Sequence, residues 1–340
     1  MNLNLGTALA LLGGVVLLAL IVHGWWSARR ARPRQAPESL PADRTEPTLG
    51  NEAPAPEAAP LRMVLRRQAR LDGLIDAIVP LALDAPISGE FALQHLPPSR
   101  RAGSKPFYVE GLDTETGAWE ALAPGHRYGE LQAGVQLASR SGPLNEIEYS
   151  EFVQKVQAFA DAVGASADAP DMLEVVARAR ELDGMTSPLD AQLTVTLRTN
   201  GVAWSVGFVQ QVAGRLGLVP GAVPGRLVLP AAEEGAPPLL VLSVDAQAAL
   251  AEDQQAAAVR ECTLSLDVPQ TPASAEPFPA WHLLGKKLAD DLDATAIDDK
   301  GQPITLHAYA AIGQELDQLY ARLDALDLSA GSAAARRLFS

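Results

Sequence analysis

Few residues of this 340-residue chain could carry catalysis or hold a metal, and they are dispersed. The five histidines (His23, His95, His126, His282 and His307) show no pair at metal-ligand spacing. His282 and His307 fall on helical patterns, where a surface or partly buried structural role is the expectation. The one cysteine, Cys262, excludes an intrachain disulfide and sits on the apolar side of a strand pattern, as a small core residue would. No positioned base is visible that would make its thiol a nucleophile. Asp290, Asp291, Asp293, Asp298 and Asp299 form an acidic cluster without the Gly at the sixth and the Glu at the twelfth position of a calcium loop. Helix-end and turn chemistry accounts for them, with Asp299-Lys300-Gly301 as a turn. Gly221 and Gly225 lie in a Pro-Gly-rich loop with no Lys-Ser/Thr after it, so no phosphate cradle is expected. The net charge of −14, with no Lys/Arg run in the folded part, argues against nucleic acid, which needs a basic face. The expectation is a non-enzymatic protein with no metal, no cofactor and no small-molecule substrate.

The residues that remain informative are those that place the chain. Leu5 to Val22 is an uncharged run of 18 residues, just long enough to span a bilayer as a helix. Trp25 and Trp26 follow at interfacial depth, then Arg29, Arg30, Arg32 and Arg34. A cleaved signal peptide would carry its positive charge before the apolar run, and Met1 to Asn4 carry no charged side chain. Residues 1–26 therefore read as a transmembrane anchor. The arginines after it keep the N-terminus outside and everything downstream in the cytoplasm. They either contact anionic lipid headgroups or only set topology. Residues 27–70 read as a tether, basic at first and then Pro-rich, with six prolines between 35 and 60 and almost no large apolar side chains. Residues 61–70 are either the end of that tether or a short helix.

From Gly73 onward the pattern becomes α+β and is written twice, as 71–187 and 188–328, with 329–340 left as a tail. A shift of 129 residues lays Ala160-Asp161 on Ala289-Asp290 and Ala165 on Ala294. Phe152, Val153, Val156, Phe159, Ala160 and Val163 have helical spacing, as do Trp281, Leu284, Leu288, Ala289 and Leu292. A last helix follows in each, and Leu306, Tyr309, Ile312, Leu316, Leu319, Leu323 and Leu326 make one continuous stripe. Leu193, Val195 and Leu197 alternate with Thr194, Thr196 and Arg198; Cys262, Leu264, Leu266 and Val268 alternate with Thr263, Ser265 and Asp267. Strands with one apolar side belong to a sheet covered on one face. Each unit is thus expected to be a mainly antiparallel sheet with helices on one side and a bare second face.

An anchor with its body inside, a Pro-rich tether and a C-terminal half-covered α+β unit together resemble the ZipA family of bacterial division proteins. The residues that carry the resemblance run from Cys262-Thr263-Leu264-Ser265-Leu266-Asp267-Val268-Pro269 into the helix with Leu288-Ala289-Asp290-Asp291-Leu292. Ala296-Ile297-Asp298-Asp299 and a last helix, Ile304 to Leu326, follow. The resemblance covers about 140 residues in order of elements, weakly in identity, plus the anchor. It implies a protein of the bacterial inner membrane that binds the C-terminal tail of FtsZ on the open sheet face and stabilises the division ring. Carried over by position, that groove comprises Thr194, Thr196, Val223, Leu242, Val244, Ala246, Thr263 and Ser265. Thr and Ser replace large apolar residues of the family on two strands, so either binding is weaker, the ligand is more polar, or this is a solvated sheet face. The first unit falls outside the family pattern. Its candidate contacts are Leu74, Ile78, Tyr108 and residues 139–145, the last equally readable as a turn. Two units could also engage two tails and gain avidity. The rival expectation is a membrane-anchored sensor with two ligand-binding α+β domains.

Overall fold

Alternating side chains and amphipathic stripes fold here into antiparallel sheets with helices against them, seen in a computed structural model that describes residues 69–251, 253, 257–304 and 306–340. The expected anchor, and the tether up to residue 68, lie outside the described residues. Among the described residues no helix is long and apolar enough to cross a membrane. The described chain forms two compact units: one runs to Ala191 and also takes in Leu319–Ser340, and the other is Gln192–Gln318.

In the first unit β1 (Asp76–Ser88) leads into α1 (Gly89–His95), β2 (Lys105–Asp113), β3 (Trp119–Ala121) and β4 (Arg127–Gln136). After these come α2 (Glu146–Val163), β5 (Ala165–Ala167) and α3 (Met172–Thr186). The sheet order is β2-β4-β1-β5, with β3 paired to β2. Thus β4 and β5, joined through α2, flank the first strand rather than each other, a split β-α-β arrangement. Asn145 and Glu148 close a reciprocal capping box at the start of α2, and Gly164 ends it at φ 71°, a conformation that glycine adopts at little cost. Tyr149, Phe152, Val156, Phe159, Ala160 and Val163 line the buried stripe of α2. They join Ala77, Val79 and Leu81 of β1 and Phe107 of β2 in one core.

The second unit repeats the plan. Its elements are β6 (Gln192–Thr199), α4 (Val206–Arg215), β7 (Arg226–Leu229), β8 (Leu240–Val244), β9 (Glu261–Asp267), α5 (Pro277–Leu292) and β10 (Ala294–Ile297). The order β7-β8-β9-β6-β10 again sets the first strand between the strands before and after the main helix. The copies differ on the far side. In the first unit β2 lies next to the pre-helix strand, with the later β3 outside it; in the second the later β8 lies inside and the earlier β7 outside. Trp281 of α5 is fully buried and donates from its indole to Leu264 O at 3.2 Å, fixing the helix to β9. Cys262 is buried among these residues, and burial pushes its thiol pKa up to about 12.

Two features correct the reading from sequence. Residues 329–340 are not a free tail: α7 (Ala333–Leu338) follows α6 (Leu306–Ala325), and Ala335, Leu338 and Phe339 are buried in the first unit's core. Leu319, Leu323, Leu326 and Leu328 pack there too, so the boundary falls after Gln318 rather than at 328. Second, the outer face of the first sheet is occupied rather than bare. Asp76, Glu110 and Gln136 lie on it, and all are buried. Arg337 forks onto Asp76, contacting Oδ2 at 2.9 Å and Oδ1 at 2.5 Å. The backbone N–H groups of Arg70 and Leu71 bond Glu110 Oε1, and the Leu71 side chain fills the space left by Gly134. The guanidinium groups of Arg70 and Arg337 lie over the Tyr108 ring, 5.6 and 5.0 Å from its centroid. Its aromatic face is therefore already engaged.

Candidate functional site

The outer face of the second sheet is assembled by register. Val228, Val241, Ser265 and Thr194 form one cross-strand row; Arg226, Ser243, Thr263, Thr196 and Ile297 form the next. A third row has Glu261, Arg198 and Thr295, with Arg198 Nε paired to Glu261 Oε1 at 2.6 Å. Opposed residues of an antiparallel pair project to the same side. The other side carries Leu193, Val195, Leu197, Cys262, Leu264 and Leu266, facing α4 and α5. Of the outer residues, Thr194 is exposed, and Thr196, Val228, Val241, Ser243, Thr263 and Ser265 are half-buried. The Ser265 hydroxyl donates to Val241 O at 3.2 Å, which leaves its lone pairs free to accept. The surface is a patch of hydroxyls with two valines at one edge, flanked by Arg226 and by the Arg198–Glu261 pair. It can offer hydrogen bonds to a peptide backbone and a small apolar contact; it holds no nucleophile with a positioned base.

Thr194, Thr196, Thr263 and Ser265 are brought together as expected. Leu242 is not among them: it is fully buried opposite Leu264 on the core face. Val244 opposes Cys262 and so also belongs to the core side. Their places on the outer face are taken by Val241 and Ser243. Ala246 is on no strand; it opens the short helix Ala246–Ala249. Val223 is 50% exposed in the loop before β7. The sequence could not phase β8, because Leu239-Leu240-Val241-Leu242 is an unbroken apolar run with no alternation.

In the first unit, residues 139–145 form a tight turn pinned from below. The ammonium of the buried Lys105 donates to Ser139 Oγ (2.9 Å), Ser141 Oγ (3.1 Å) and Gly142 O. Burial lowers its pKa, while Glu148 opposes the shift. Three acceptors match the three protons of an ammonium, so this lysine is a structural pin. A cavity of about 150 Å³ beside it is lined by residues including Ser139, Arg140, Asp183, Thr186 and Asp190. That is smaller than the roughly 300 Å³ at which small-molecule sites begin.

One group of side chains has no counterpart in the sequence reading, which left His126 isolated. Asp113 Oδ2 and Glu120 Oε1 stand 2.9 and 2.8 Å from His126 Nδ1. Gaps of 6 and 5 residues between the three match no short ligand motif; only the return of β2 through β3 into β4 unites them. Elsewhere His282 is half-buried and stacks on Tyr309 with centroids 3.9 Å apart, a packing role. Asp298 Oδ1 accepts from Lys300 N at 2.9 Å and Gln302 N at 2.7 Å, as turn chemistry requires. No protein-family model and no curated protein matches the sequence.

Proposed function

We propose that the chain is a ZipA-like tether of the bacterial inner membrane that takes the C-terminal tail of FtsZ on the outer face of β7-β8-β9-β6 and stabilises the division ring. The observation that carries this reading is the second unit's sheet: helices bury one face, and the other presents half-buried side chains with free acceptor capacity. The order β9, α5, β10, α6, with Val268-Pro269 after the first and Asp298-Asp299 after the third, matches the family order. An apolar run followed by arginines supports the anchor. The tail lies over Val228 and Val241 with one apolar side chain and bonds through its backbone to Thr194, Thr263 and Ser265. With so little apolar surface to bury at roughly 25 cal/mol per Å², affinity should be modest, on the order of 10–100 µM.

Fluorescence anisotropy with a labelled FtsZ C-terminal peptide tests it. Val241→Asp and Thr263→Arg, both on the outer face, should each weaken binding at least about tenfold while leaving thermal unfolding unchanged. Leu242→Ala should instead lower stability by about 3 kcal/mol, as a core truncation does. If the wild-type chain fails to bind the peptide at millimolar concentration, the tether reading is discarded.

A further inference from the structure

We infer that Asp113, Glu120 and His126 form a site for one divalent first-row transition-metal ion of the zinc type. The three residues come from three consecutive pieces of the first sheet: the last position of β2, the middle of β3, and the residue just before β4. Their ligand atoms all lie within 4.8 Å of one another.

The geometry around the imidazole argues for an ion in place of a proton. Nδ1 can carry at most one hydrogen, and Asp113 Oδ2 lies within hydrogen-bond reach of it at 2.9 Å. Glu120 Oε1 is just as near, at 2.8 Å, and one N–H cannot point at both. A metal at the same place bonds all three atoms at once. Tetrahedral bonds of about 2.0–2.2 Å put ligand atoms roughly 3.4 Å apart, so the two nitrogen–oxygen separations of 2.9 and 2.8 Å need to open by about half an ångström.

Both carboxylates are also held by groups outside the triad. Asp113 is buried, and its other oxygen, Oδ1, accepts from Glu115 N at 2.9 Å and Thr116 N at 2.7 Å, which turns Oδ2 toward the histidine. The N–H groups, that of Thr116 foremost, hold its carboxyl below the usual range. Glu120 Oε1 accepts the hydroxyl of the buried Tyr128 at 2.9 Å, and that hydroxyl accepts from Ala123 N at 2.8 Å. Gly111 lies beneath the Tyr128 ring, where a Cβ would come within 2.3 Å, so the ring's position is fixed from below. Such outer partners orient metal-binding carboxylates.

The donor set selects the ion. One imidazole and two carboxylates suit zinc and its neighbours, whereas calcium seeks six to eight oxygens and magnesium retains its waters. The His126 side chain is 41% exposed, so the ion enters from solvent and water completes its shell. The metal would clasp the corner where β2, β3 and β4 meet.

The test is titration of the full-length chain, stripped with chelator, with zinc chloride alone, followed by calorimetry and thermal unfolding. The expected result is one ion per chain and a rise in melting temperature of several degrees. His126→Ala and Glu120→Gln should weaken binding at least about 100-fold, and Tyr128→Phe about tenfold, while His95→Ala leaves it unchanged. Cobalt substitution supplies a signal independent of stability: visible d–d absorption that His126→Gln abolishes in a chain whose circular dichroism is unaltered. The absence of binding at 1 mM zinc would overturn the site and leave a histidine packed against two carboxylates. So would binding indifferent to both the His126 and Glu120 substitutions.

Discussion

Glu148 shows how single side chains hold the first unit's loops. Its Oε1 accepts from Ser104 N and Oγ at 2.8 and 2.7 Å, and its Oε2 accepts from Asn145 N and Nδ2 at 3.3 and 3.0 Å. Burial alone would raise its pKa; the bonds from Ser104 and Asn145, with the charge of Lys105, outweigh that and hold it below its ordinary value. A carboxyl with a depressed folded pKa gives stability that is present above its ordinary value of 4.5 and is lost as pH falls through the folded value. Glu148→Gln should cost about 2 kcal/mol at neutral pH and flatten the acid limb, as urea unfolding across the acid range would measure. The capping partners Asn145 and Glu148 stand three residues apart, but in the sequence Asn145 reads only as part of a turn or contact segment. Nothing in the sequence links Ser104, 44 residues away, to Glu148. The Asp113–Glu120–His126 group was hidden for the same reason: its members become neighbours only when a hairpin closes.

Elements were legible wherever periodicity was clean. Alternation in Gln192–Thr199 and Glu261–Asp267 separated inner from outer side chains. Where the pattern lost contrast, phase was lost with it, as in β8. α7 escaped notice because six residues with the sequence AAARRL carry too short a stripe to mark a buried face. Its contribution is nonetheless a core contribution, since Leu338 and Phe339 are 2% and 3% exposed. Leu338→Ala should destabilise the first unit by about 3 kcal/mol, and removal of 333–340 should cost more; a disordered tail would register neither. Denaturant unfolding, with the midpoint read at fixed slope, distinguishes the two cases.

Across the whole chain, two units of similar plan carry sheets with different outer faces. The half-covered sheet was foreseen for both, but Arg70, Leu71 and Arg337 close the first one, through contacts spanning up to 267 residues of sequence that no local pattern announces. Binding of the FtsZ peptide should therefore saturate at one per chain, and isothermal titration giving two equivalent sites would contradict that expectation. Arg337 also donates to Arg70 O, so the last helix and the first described residues share one patch around Tyr108. That shared patch has a mechanical consequence. Tension applied through residue 69 reaches Leu71 and Glu110 before it reaches β1. The earliest part to peel away is thus the cover over Gly134, and a pulled chain would bare a second sheet surface while both cores stay intact.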